Sequence, residues 1–127
     1  MAKGFAIVGI GCRFPNSKNP NEFWDLLING RDAITEIPET RFSIEKYCDP
    51  NPDAEGKISS KYGGFIDDVA LFDAKFFGLS QPEAEKADPQ QRLAMHVAWE
   101  ALEDAGIVPS SLSGSSTGVF VGMHASD

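Results

Sequence analysis

Two short apolar runs constrain this chain more than anything else in it. Phe5-Ala-Ile-Val-Gly-Ile10 and Gly118-Val-Phe-Val-Gly122 stand near its opposite ends. Each is hydrophobic at consecutive positions rather than alternate ones, the pattern of a strand covered on both faces. The expected strands span about 5–10 and 118–123, with helix signals between them. The simplest arrangement is an α/β crossover unit, right-handed, with both strands parallel in one sheet. Two strands do not close a sheet by themselves. Something else should therefore lie beside them, either the remainder of a domain or another chain.

The crossover helices announce themselves by their caps. Asn19-Pro20-Asn21-Glu22 opens a helix over about 20–29, with Pro in the first turn and Glu22 completing a capping-box-like pattern. Gly30 ends it through the left-handed conformation open to glycine. Ser80-Gln81-Pro82-Glu83 opens a short helix over about 82–86. Asp88-Pro89-Gln90-Gln91 opens the main helix, about 89–105, with Asp88 and Gln91 as capping residues. Leu93, Ala94, Val97, Ala98, Ala101, Leu102 and Ala105 form its apolar stripe. Met95 and Trp99 widen that stripe, so burial on more than one side is expected. Gly106 stops this helix.

Residues 31–65 read as an irregular insertion punctuated by Pro38, Pro50, Pro52, Gly56, Gly63 and Gly64, with 49–60 as a mobile surface loop. Phe65, Phe72, Phe76 and Phe77 are too many rings for an exposed segment. The spacing of Phe72 and Phe76 fits a short buried helix.

A length of 127 residues allows one domain at most. The net charge of −8 argues against a general nucleic-acid surface, which needs clustered Lys and Arg. No run of about 18 apolar residues marks a membrane span. No secretory leader is evident. Cys12 and Cys48 lack CxxC or His-bearing spacing, so neither a structural disulfide nor a zinc site is expected, and a reduced cytoplasmic setting fits.

Few residues suggest chemistry. Gly9-Ile-Gly-Cys-Arg-Phe14 begins like a dinucleotide fingerprint, but Phe14 occupies the third glycine position and no helix starts there. The glycines are read as permitting a tight turn after the strand. Cys12 falls at a strand end, where ligands gather in parallel sheets, yet no His–acid pair activates it, and a small buried thiol is the favoured reading. Cys48 has a weaker case. His96 shares a helix face with Arg92 and Glu100 in an ordinary polar stripe. His124 follows the second strand, at the same sheet end as Cys12. Arg92 opposes the helix dipole in the first turn, and Glu100, Glu103 and Asp104 oppose it at the other end. Such mismatches mark residues held by partners, and Arg92 is read as structural or interfacial.

Three landmarks in order, Phe5–Pro15, Asp88–Gly106 and Gly118–Gly122, resemble the β-ketoacyl synthase (ketosynthase) domain of modular polyketide synthases. The resemblance covers nearly the whole chain and corresponds to roughly the first third of such a domain. It implies an incomplete thiolase-like fold. The family carries out decarboxylative Claisen condensation of acyl thioesters held on carrier proteins, through a nucleophilic Cys and two His. The resemblance places those three residues beyond this chain. It therefore assigns no catalytic, cofactor or metal residue within 1–127. The expectation is a truncated ketosynthase, inactive alone and structural or docking in role. Its implied partners are the remainder of the domain or another synthase polypeptide, an acyl carrier protein bearing phosphopantetheine, and a second copy in a homodimer. Two alternatives stand beside it: half of a split ketosynthase completed by another chain, and a minimal thiol enzyme using Cys12 with His124.

Overall fold

The computed structural model describes residues 4–123. They fall into two compact units, one joining the residues up to Cys12 with those from Asp68 onward, the other running from Arg13 to Asp67.

The second unit begins with helix α1, Pro20–Ile28. Its start is fixed by local chemistry. Asn19 Oδ1 accepts from Glu22 N at 2.9 Å, and Lys18 N donates to the Glu22 carboxylate at 2.7 Å. Gly30, at φ 59°, carries the chain out of the helix in the left-handed region. Phe23 stacks on Phe14 at 4.1 Å. Strand β1, Ile34–Glu36, pairs antiparallel with β2, Tyr62–Gly64, in the register Ile34–Gly64, Thr35–Gly63 and Glu36–Tyr62. Lys61 Nζ meets Glu36 Oε1 at 2.7 Å beside this ladder. A one-turn helix α2, Ile44–Tyr47, is capped by Ser43. The segment 49–60 turns back so that Cys48 and Ile58 form a parallel bridge, and Asp49 and Asn51 each accept a backbone N–H two residues on.

The first unit is built on helices α3, Gln81–Lys86, and α4, Pro89–Asp104. Both start at the expected caps. The backbone N–H and hydroxyl of Ser80 both donate to Glu83, at 2.9 and 2.6 Å. Asp88 Oδ1 accepts from Gln90 N at 2.7 Å. Ala105 and Gly106, the latter at φ 65°, close α4. A 3-10 turn follows at Pro109–Leu112.

The Ser80 cap has a measurable signature. Its hydroxyl, and then its backbone N–H, hold the Glu83 carboxyl below the ordinary range. A depressed carboxyl stabilises the fold above its unfolded range and loses that effect as pH falls through the folded value. Ser80→Ala is therefore expected to move the Glu83 titration upward toward the ordinary value. Carboxyl 13C shifts against pH check this, and an unmoved midpoint would contradict the cap.

The two strands expected at 5–10 and 118–123 are not formed here. Neither segment joins a ladder, and the one sheet among the described residues is the antiparallel β1–β2 pair. Both segments are largely exposed: Phe5 and Phe120 are more than nine-tenths accessible, and Ile7, Val8, Ile10, Val119, Val121 and Met123 are exposed too. The physical reason is that a buried strand needs neighbours on its edges and cover on its faces, and the described residues supply neither in full. The expectation of burial around α4 fails likewise, because none of its residues is buried. Only Ile37, Ala84 and Ser17 are buried among the described residues. The short helix expected at Phe72–Phe76 is instead a set of turns, with Phe76 exposed.

Candidate functional site

Residues 9–11 run along α4, and glycine sets how close they come. A methyl group added at Gly9 would collide with the Ala101 carbonyl oxygen and reach Ala105 Cβ at 2.8 Å. One added at Gly11 would strike the Val97 carbonyl oxygen and reach Ala101 N at 3.1 Å. The Ile10 backbone N–H then donates to Asp104 Oδ2 at 2.9 Å. The Gly9 and Gly11 pair thus serves close helix packing rather than the tight turn expected of it, and neither glycine has a positive φ. No helix opens at Phe14 to hold a phosphate; the next one begins at Pro20.

Cys12 follows this segment, half-buried and with its thiol free of any disulfide. Cys48 is a free, half-buried thiol in the other unit. His124 lies outside the described residues. His96 is not part of a simple polar stripe. Its ring stacks on Phe72 at 5.4 Å and on Phe77 at 5.3 Å. Among the described residues no group of three or more His, Cys, Asp or Glu could hold a metal ion.

The charges that oppose the α4 dipole find partners, as their positions suggested. Asp104 holds the Ile10 N–H, and Glu103 Oε1 accepts from Trp99 Nε1 at 2.8 Å. A charge-assisted hydrogen bond, worth about 1.5–3 kcal/mol, outweighs a dipole penalty of about 0.3–1 kcal/mol. Arg92 differs. Its Nε is buried without a hydrogen-bond partner, a state that costs about 1–3 kcal/mol for a polar group.

Among the described residues this geometry positions a segment on a helix. Sequence reasoning missed the β1–β2 pair and the ring cluster around His96. The β-branched pair Ile34 and Thr35 was the only local sign of β1, and its partner lies more than twenty residues away.

Comparison with known proteins decides the family. The model of the β-ketoacyl synthase N-terminal domain matches residues 3–127. The chain belongs to the β-ketoacyl synthase family. A phenolphthiocerol/phthiocerol polyketide synthase of Mycobacterium tuberculosis is 51% identical over 123 residues, 96% of this chain and 7% of that protein. The Pks15/1 type I polyketide synthase of phenolphthiocerol synthesis in Mycobacterium marinum is 54% identical over 122 residues, 94% of this chain and 6% of that protein. Among solved structures, the oxazolomycin ketosynthase domain OzmH KS7 of Streptomyces albus superposes with a TM-score of 0.80 at 44% identity, over 85% of this chain and 19% of that one. A ketosynthase from module 6 of the Bacillus subtilis bacillaene synthase gives 0.74 at 39% identity, over 84% of this chain and 18% of that one. The chain thus spans under a tenth of these curated relatives and about a fifth of these solved ketosynthase chains. The structure is a small α/β portion related to the N-terminal part of thiolase-like ketosynthases.

Proposed function

We propose that residues 1–127 act as the N-terminal structural portion of a polyketide synthase ketosynthase, docking onto the remaining part of that domain and inactive without it. The observation that carries this reading is the exposure of the two apolar segments. Phe5, Ile7, Val8 and Ile10, with Val119, Phe120, Val121 and Met123, present large side chains to solvent on backbone that joins no ladder. Exposed apolar surface with open backbone edges is the chemistry of a surface built to be covered. The completed domain would perform decarboxylative condensation of acyl groups delivered by a phosphopantetheine-bearing carrier protein. The reacting Cys and two His would come from the docked remainder. Homodimerisation and a cytoplasmic location belong to the same reading. No helix among the described residues is long and apolar enough to cross a membrane.

Complementation tests this. Residues 1–127 alone are expected to give no condensation product from acyl- and malonyl-carrier protein. Supplying the C-terminal remainder as a second chain should restore product. Condensation by residues 1–127 alone that Cys12→Ala abolishes would overturn the proposal in favour of a Cys12 enzyme.

A further inference from the structure

Three rings in the unit that contains α4 stand nearly at right angles to one another. Phe76 meets Trp99 at 79° with centroids 4.7 Å apart, and meets Phe77 at 83° and 4.9 Å. Phe77 and Trp99 meet at 88° across 6.4 Å. These rings and His96 border a cavity of about 200 Å³. Its other lining side chains are Asp73, Glu100 and Glu103, and no Lys or Arg among the described residues joins them.

The composition of this cavity selects its ligand. Aromatic faces carry negative charge density and attract cations. The carboxylates add to that field and repel anions. A neutral apolar guest would gain from the rings while stripping water from carboxylates, which is costly without a compensating charge. A bare metal ion lacks the cluster of ligands it needs among the described residues. An organic cation satisfies both walls at once. The carboxylates are also held in place: Glu103 Oε1 accepts from Trp99 Nε1 at 2.8 Å, and Asp73 Oδ1 accepts from Phe76 N at 2.9 Å. The volume has room for about six water-sized groups, which suits a substituted ammonium head.

We propose that this corner of Phe76, Phe77 and Trp99 binds an organic ammonium group, with Asp73 and Glu103 supplying the countercharge. The proposal rests on this unit alone and is independent of any condensing activity.

The test follows indole N–H resonances in 15N-labelled residues 1–127. The chain has two Trp, so Trp24 in the other unit serves as the internal reference for Trp99. Choline is expected to shift the Trp99 signal saturably, leave Trp24 in place, and bind about tenfold tighter than 3,3-dimethyl-1-butanol, its uncharged isostere. Glu103→Gln keeps an acceptor for Trp99 while removing the charge, and should weaken choline at least about threefold. Phe76→Leu should do the same by removing a face. N-acetyl-lysine methylamide binding as tightly as choline would identify the cation as a polypeptide lysine; preference for choline would identify a free quaternary ammonium. Equal affinity for the uncharged isostere, a non-saturable shift, or indifference to both variants would overturn the proposal.

Discussion

Gly9→Val and Gly11→Val should each detach residues 9–11 from α4. Even a methyl group at these positions meets helix backbone rather than a yielding side chain: the Ala101 and Val97 carbonyl oxygens lie within its reach. Backbone cannot rotate aside as a lysine tip can, so the segment must move. Overpacking of this kind costs about 1–3 kcal/mol for an added methylene or two, and β-branched valine lies at or beyond the upper end. Displacement also breaks the Ile10 N–H bond to Asp104, which adds the loss of a charge-assisted pair. Gly4→Ala and Gly122→Ala are the controls, because an added methyl at either site meets nothing. Unfolding free energies from urea titration should fall for the first pair and hold within about 0.5 kcal/mol for the second. Equal behaviour of all four would show that close approach to α4 contributes nothing.

Phe120→Lys is expected to leave residues 1–127 as stable as before and to abolish complementation by the C-terminal remainder. Phe120 is almost wholly accessible, so a charge there costs the isolated chain little. Covered by a docked partner, the same ammonium would be desolvated without a counter-ion, a penalty of several kcal/mol and hence a loss of binding by about a thousandfold or more. Ile7→Lys should act alike from the other apolar segment. Restored condensation with either variant, at wild-type partner concentration, would mean that the docking surface lies elsewhere. A wild-type complement that also fails would instead question the docking reading as a whole.

Helices were legible in the sequence and strands were not, for a reason that lies in range. The caps of α1, α3 and α4 are set by Asn19, Ser80 and Asp88 acting within three residues, so they can be read from a short window. The hairpin-like pair β1–β2 joins Ile34 to Gly64 across a long excursion, and no local pattern reports such a partner. The apolar runs near residues 7 and 120 were read as strands buried on both faces, whereas both stand exposed and outside any ladder. His96 was read as part of a polar stripe because Phe72 and Phe77, whose rings stack on it, sit on a different stretch of chain. The acidic end of α4 was legible as a conflict with the helix dipole. Only the folded arrangement shows that Trp99 and the Ile10 amide resolve it.

The Ile10–Asp104 bond joins residues 94 apart, and this separation has a consequence in time. A ribosome adding about 5–20 residues per second needs about 5–20 s between the two. Throughout that interval the exposed side chains of Phe5, Ile7 and Val8 are out before the helix that anchors Ile10 exists. A nascent chain is thus obliged to carry a greasy, unanchored segment while residues 13–67 are still being made, and that interval gives a chaperone its opportunity to bind.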